Sequence, residues 1–231
     1  MRSARAAEVT ADALPRILEF CRDERVRFLI ARCNAADLPT ARVMYGAGFD
    51  LMDTLVYVER SMSEPPPRSS GPTVIRPARP EDAPVIEAIA RESFTGYVGG
   101  HYHADPRLDR VKCDDVYVSW ALRAYAGEAA DATFIGEVDG RIAGFLSVRG
   151  GETGSAPIAG VTASARRHGV YRTMVEEAVR WCTAAGSKRM LISTQITNPV
   201  SLNTWLRTGF RTCGAAYTFH KWFDDVAGEP S

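Results

Sequence analysis

The sequence predicts an α/β (α+β) protein, a mixed twisted sheet flanked by helices with a smaller unit ahead of it. Three observations carry that reading. Short apolar runs of strand length alternate with amphipathic stretches of helical period along the whole chain. One composition break, Ser61–Pro72 (SMSEPPPRSSGP), replaces apolar residues with proline, serine and glycine and reads as a linker. The 231 residues, 45% hydrophobic and 24% charged, suffice for one substantial core or for a domain with a smaller partner, and they exclude disorder and coiled coil. The expected organisation is residues 1–60 as an N-terminal subdomain, 61–72 as linker and 73–231 as the main domain. Sixty residues are few for an independent core, so the small unit should lean on the large one.

In the first unit, Leu14, Ile17, Leu18 and Cys21 at helical spacing predict a helix over Ala13–Arg22. A strand at Val26–Ala31, a helix at Leu38–Gly46 and a strand at Asp50–Glu59 follow. The second unit reads as strand Thr73–Arg76, helix Glu81–Glu92, an irregular stretch, helix Val111–Ala126, and strands Thr133–Val138 and Ile142–Val148. Asp139-Gly140 between those strands signals a type I′ hairpin. Strand Ile158–Thr162, helix Val170–Ala185, strand Met190–Thr194, helix Pro199–Arg207 and strand Ala215–Trp222 complete the chain. The units echo each other. Val26–Glu59 runs strand, helix, Gly48-Phe49, strand, and Lys188–Phe223 repeats that order with Gly209-Phe210 at the joint. Both glycines stand where a helix end favours a left-handed residue, and the shared order points to an internal repeat.

Lysine and arginine number 28, as do aspartate and glutamate. No overall field therefore draws the chain to nucleic acid or an anionic membrane, and neither is expected as a partner. Any bound anion must be gripped locally. Cys21, Cys33, Cys113, Cys182 and Cys213 are scattered without a CxxC pair, which argues against a disulfide framework or zinc knuckle. No cluster has metal-ligand spacing and neither GxSxG nor a loop ending GK(S/T) occurs, so no metal is expected. No signal-like apolar run follows the arginines of Met1–Arg5, and no stretch of about 18 uninterrupted apolar residues appears, so a cytoplasmic location is expected.

The informative stretch is Ile158–Ala185. Tyr171, Met174, Val175, Ala178, Val179 and Cys182 share one helix face, so this helix should pack on the sheet. Arg166-Arg167-His168-Gly169 precedes it and puts positive charge where free backbone N–H groups emerge. Basic residues there oppose the helix dipole unless an anion fills the turn, in which case amides, dipole and arginines act together. Read alone, the tetrapeptide reads as a solvated basic loop.

The context of that turn resembles a known family. Val161, Arg166 and Gly169 match the acyl-CoA signature of the GNAT acetyltransferases, a strand ending in Val followed by (Gln/Arg)-x-x-Gly-x-(Gly/Ala), and Tyr171 departs from its small last residue. Val74-Ile75-Arg76-Pro77-Ala78 with Pro80-Glu81-Asp82 is similar to the family's opening strand and helix, and Glu137–Leu146 to its central hairpin. Asn198…Trp205…Gly209-Phe210 is similar to its closing segment, with Trp205 in the place of the tyrosine that serves as general acid. The resemblance implies a GNAT-type sheet preceded by a smaller partial GNAT-like repeat. It also implies acetyl-CoA as acyl donor, held by Gly160, Val161, Arg166, Arg167, His168, Gly169, Val170, Tyr171 and Asn198 between two diverging strands, and a primary amine as acceptor.

A narrower likeness, through Tyr102-His103-Ala104-Asp105-Pro106-Arg107-Leu108, Tyr117, Trp120, Ser193-Thr194-Gln195, Asn198 and Phe219-His220-Lys221-Trp222, is to the TDP-fucosamine acetyltransferases. It implies a nucleotide-activated 4-amino-deoxysugar as acceptor. Tryptophan cannot give up a proton to the departing thiolate, so Trp205 leaves the catalytic groups open, with Tyr171 as a substitute acid and His101 or His103 as base. Asp105 and Arg107 fit an anchor for the next helix equally well. Two other readings stay open: a catalytically silent acyl-CoA-binding module, and an N-acetyltransferase for peptide or protein amines. The oligomeric state, a homodimer included, is not readable.

Overall fold

The strands resolve into two sheets in a computed structural model that describes residues 2–63, 71–97 and 99–223. In chain order the elements are β1 (Ser3–Ala6), α1 (Leu14–Asp23), β2 (Phe28–Asn34), α2 (Leu38–Gly46), β3 (Asp50–Ser61), β4 (Val74–Pro77), α3 (Ala83–Phe94), α4 (His101–Ala104) and α5 (Arg110–Tyr125). Then come β5 (Ala132–Val138), β6 (Arg141–Val148), β7 (Thr153–Gly154), β8 (Ala159–Val161), α6 (Val170–Ala184), β9 (Arg189–Gln195), α7 (Pro199–Arg207) and β10 (Arg211–Trp222). The mixed α/β class expected from the alternating periods is the one found.

One sheet is antiparallel in the order β4-β5-β6-β8. Its β5–β6 turn has positive φ at both Asp139 and Gly140, as a type I′ turn requires. Side-chain alternation buries both faces: Ile135 and Phe145 meet Ile86, Ile89, Val118 and Ala121 of α3 and α5, whereas Phe134, Leu146 and Val148 meet Met174, Val175 and Val179 of α6. The second sheet is mixed, in the order β1-β2-β10-β3-β9-β7. Its apolar face carries Leu29, Ala31, Cys33 and Phe219 beneath α1 and α2, and Val56, Val58, Met190 and Ile192 beside Trp205 and Phe210. The opposite face presents a polar row, Arg32, Thr218 and Asp53, side by side on three neighbouring strands.

Residues 1–60 lean on the C-terminal residues by interleaving with them in this second sheet. β10 lies between β2 and β3, and β3 lies between β10 and β9. The stretch read as a linker also begins later than expected, since Ser61 still pairs with Arg189 and Met62 is buried. Its residues 64–70 lie outside the described residues.

The repeat is regular. A constant offset of 161 residues (189 − 28, 199 − 38 and 211 − 50) carries β2 onto β9, α2 onto α7 and β3 onto β10, end to end. It also carries α1 onto the last ten residues of α6. Local chemistry follows the offset. Asp37 caps α2 by accepting from the Thr40 amide, and Asn198 caps α7 by accepting from the Ser201 amide. Gly48 and Gly209 both have positive φ, and the buried pairs Met44 and Phe49, Trp205 and Phe210 correspond.

Candidate active site

β8 and β9 lie in different sheets, so the chain parts between them. Along β8, Ser147 donates to the Ile158 carbonyl and Thr162 donates to the Ala143 carbonyl, with Gly160 opposite Phe145. Strand alternation then turns the main-chain groups of Ala159 and Val161 away from β6 and toward the opening. Gly160 lines the cleft and meets a packing need as well. A Cβ there would stand 2.9 Å from the Phe145 ring and 3.0 Å from Ser93 Oγ, so the glycine lets α3 close onto the strand.

After β8 a short 3₁₀ turn (Ala163–Ala165) is held by Glu92, which accepts from the Ala163 amide at 2.9 Å. α6 starts at Gly169, with φ +81 and no side-chain cap. Among the described residues the main-chain N–H groups of residues 167–172 have no acceptor, the first bonded amide being that of Thr173. Arg166 and Arg167 flank them without an ion pair among the described residues. An anion is the ligand such a set of donors fits. Arg166, Arg167, Gly169, Val170, Tyr171 and Asn198 wall a cleft of about 1850 Å³ that runs between β8 and β9. His168 is not part of that wall.

Tyr171 turns inward. Its hydroxyl meets Ser201 Oγ at 3.0 Å, its ring stands edge-on to Trp205, and burial pushes the phenol up to about 12. Trp205 is itself buried against Phe210, a packing centre for α7. Asn198 donates to the Tyr97 hydroxyl at 3.3 Å, and that hydroxyl donates to Gln195 Oε1 at 3.0 Å.

At its other end the cleft is walled by Arg5, Arg32, Leu55, Tyr97, His101, Tyr102 and Gln195. Arg5 donates to the Tyr102 hydroxyl and Arg32 to Thr218 Oγ1 at 3.2 Å. Neither arginine has a carboxylate partner within salt-bridge distance among the described residues. The Asp53 carboxylate lies beneath this end, where burial pushes it up and Thr218, Arg32, the His101 amide and Gln195 offset part of that shift.

The two loop histidines separate. His101 opens α4 and lines the cleft, whereas His103 turns away to Asp114 at 2.7 Å and stacks on Tyr117. Behind His101 runs a buried chain: His101 Nδ1 lies 2.9 Å from His220 Nε2, and His220 Nδ1 lies 2.8 Å from Asp105 Oδ2. Burial raises Asp105, but its bonds to His220, Trp222 and the Arg107 amide outweigh this and hold it below the usual carboxylate range. Burial pushes His220 down, and Asp105 offsets part of that shift. Asp105 thus anchors the turn, as sequence allowed, and also holds a histidine from β10. Arg5, Arg32 and Asp53 had no sequence signal, because only strand exchange brings them here.

The two sheets and the cleft between β8 and β9 are those of the GNAT fold. Residues 101–210 match the model of the acetyltransferase (GNAT) family, and the chain carries a GNAT-family N-acetyltransferase domain. No curated protein matches by sequence. Among solved structures, the chain is similar to a GCN5-related N-acetyltransferase from Sphaerobacter thermophilus at TM-score 0.64 and 15% identity, covering 92% of this chain and 69% of that one. It is similar to a tandem GNAT protein from the clavulanic acid biosynthesis pathway at 0.62 and 12%, covering 96% and 73%. A GCN5-related glucosamine N-acetyltransferase region of a fungal multi-domain GH3 beta-N-acetylglucosaminidase aligns at 0.61 and 12%, covering 88% of this chain and 26% of that one. No helix among the described residues is long and apolar enough to cross a membrane, and no group of three or more His, Cys, Asp or Glu among them is placed to hold a metal ion.

Proposed function

We propose that the chain transfers the acetyl group of acetyl-CoA to the primary amine of a small molecule, with a nucleotide-activated 4-amino-deoxysugar as acceptor. The observation that carries this reading is the coincidence of the parted strands β8 and β9 with the uncapped start of α6 beside Arg166 and Arg167. In it, the donor's diphosphate lies on the amides of residues 167–172, and its amide arm pairs with Ala159 and Val161 as an added strand would. Acetyl-CoA supplies an activated acyl group, and holding amine and thioester together supplies much of the rate.

Trp205 has no acidic proton to give, and the Tyr171 hydroxyl is turned inward onto Ser201 Oγ with its ring edge-on to Trp205. In this reading the thiolate leaves without a side-chain acid and takes its proton from water. The comparisons reach the GNAT fold and family and name no sugar nucleotide. What supports that acceptor is the pair Arg5 and Arg32 at the far end of the cleft, two guanidiniums suited to a diphosphate. CoASH release from acetyl-CoA with a panel of amines tests the proposal. A nucleotide-linked amino sugar should outpace the free amino sugar, polyamines and peptides, and no release with any of them would overturn the reading.

A further inference from the structure

The basic turn before α6 has a counterpart in the N-terminal copy. Ser3-Ala4-Arg5 recurs as Ser164-Ala165-Arg166 at the 161-residue offset (164 − 3) that relates the two copies, which makes Arg5 the equivalent of Arg166. Arg166 flanks the open start of α6. Arg5 has no such start to serve, because β1 is hydrogen-bonded along β2 and the Val9 amide is taken by the Arg32 carbonyl at 2.8 Å. It stands instead on the wall of the other copy's cleft, together with Arg32.

The two guanidiniums share one face of the sheet. Arg5 is opposite Ile30, and Arg32 follows further along the same side of β2. Like charges so placed repel, and neither has a carboxylate within salt-bridge distance among the described residues. Asp53, across Thr218 from Arg32, is one carboxylate set against both. The His101 ring adds no charge, since burial, His220 and the two arginines push it down to about 3. This end of the cleft is therefore positive, and it is also rich in donors. The Tyr102 hydroxyl accepts from Arg5 and keeps its own proton to give, while Arg32 uses Nε on Thr218 Oγ1 and leaves its terminal nitrogens without an acceptor among the described residues. Positive charge and unused donors together fit an anion, and a phosphate group takes guanidiniums two-pronged.

We propose that Arg5 and Arg32 form an anion subsite for the acceptor's phosphates, so that the N-terminal copy selects which amine the C-terminal copy acetylates. The proposal rests on the acetyltransferase reading above and deepens it. The acceptor is an amine that carries a phosphate or diphosphate, and these two residues determine the specificity. The cleft then has an anion site at each end, the start of α6 for the donor and the β1–β2 face for the acceptor, and amine and thioester meet between them.

Binding and turnover by the full chain test this. With CoA saturating the start of α6, thymidine diphosphate should bind in calorimetry, and Arg5→Gln and Arg32→Gln should each weaken it by about tenfold or more. Arg5 is exposed, so its variant reads the site even where Arg32→Gln fails to fold. In acetyl transfer, the kcat/KM of a nucleotide-linked amino sugar relative to the free amino sugar should fall by a similar factor in both variants, through KM. Thymidine diphosphate affinity equal to wild type in Arg5→Gln overturns the subsite. So does a loss that falls equally on the free amino sugar, which marks a structural role. A nucleotide-linked amine that both variants prefer as strongly as wild type overturns this inference alone. A wild type that binds thymidine diphosphate through both arginines yet acetylates no nucleotide-linked amine overturns the acceptor reading instead.

Discussion

In the N-terminal copy of the repeat, β1 is hydrogen-bonded to β2 along Ser3–Ala6, and Val9 gives its amide to the Arg32 carbonyl at 2.8 Å. In the C-terminal copy, β8 and β9 stand in separate sheets. The 161-residue offset (169 − 8) sets Glu8 against Gly169, both at positive φ, and Val9 against Val170. The same helix start is thus built twice. One is closed and carries a carboxylate. The other is open, lined by glycine and two arginines, and its Val170 amide has no acceptor among the described residues. Only the second suits an anionic donor. The closed copy instead contributes Arg5, Arg32 and Leu55 to the other end of the cleft, so a duplicated unit without an open helix start still shapes the cleft.

The comparison can be broken at several points. The largest effect is expected in the shared packing centre of the two copies: Trp205→Ala should cost about 3–5 kcal/mol and Met44→Ala about 2–5 kcal/mol in urea unfolding, because each empties a fully packed site. A loss below about 1 kcal/mol at either residue would contradict the equivalence. Gly169→Glu, which copies Glu8 into the open start, should weaken acetyl-CoA binding on the order of 10²-fold by calorimetry, since it sets a carboxylate against the phosphates and strains a φ of +81. Unchanged affinity would remove the donor from this turn.

A smaller effect is expected on stability against pH. His101 is held near 3 when folded, below its ordinary 6.5, so below 6.5 the unfolded chain binds a proton that the folded chain refuses. Its contribution is full above 6.5 and is lost as pH falls toward 3, at up to ~1.4 kcal/mol per pH unit. His101→Gln should flatten that part of the profile, and parallel profiles would contradict the buried, uncharged ring. Smallest are the caps: Asp37→Ala and Asn198→Ala should each cost about 1 kcal/mol, by similar amounts, if the two helix starts are equivalent.

Much of this was legible locally. α2 and α7 ended where sequence placed them, because caps and positive-φ glycines act within a few residues. The turn at Arg166–Gly169 was legible for the same reason. Strand partners were not, since Asp53 and Arg32 become neighbours only through Thr218, far along the chain. β1 and α4, four residues each, are too short to show a period, yet they carry Arg5 and His101. Sequence also could not choose between His101 and His103, two positions apart on one turn of helix; the fold sends one to the cleft and the other to Asp114.

A crystal structure of the full chain with CoA tests the central claim most directly. The account places the diphosphate within hydrogen-bonding distance of the main-chain N–H groups of residues 167–172, with the pantetheine arm along Ala159 and Val161. A diphosphate bound at the Glu8 turn, or anywhere off the start of α6, would contradict it.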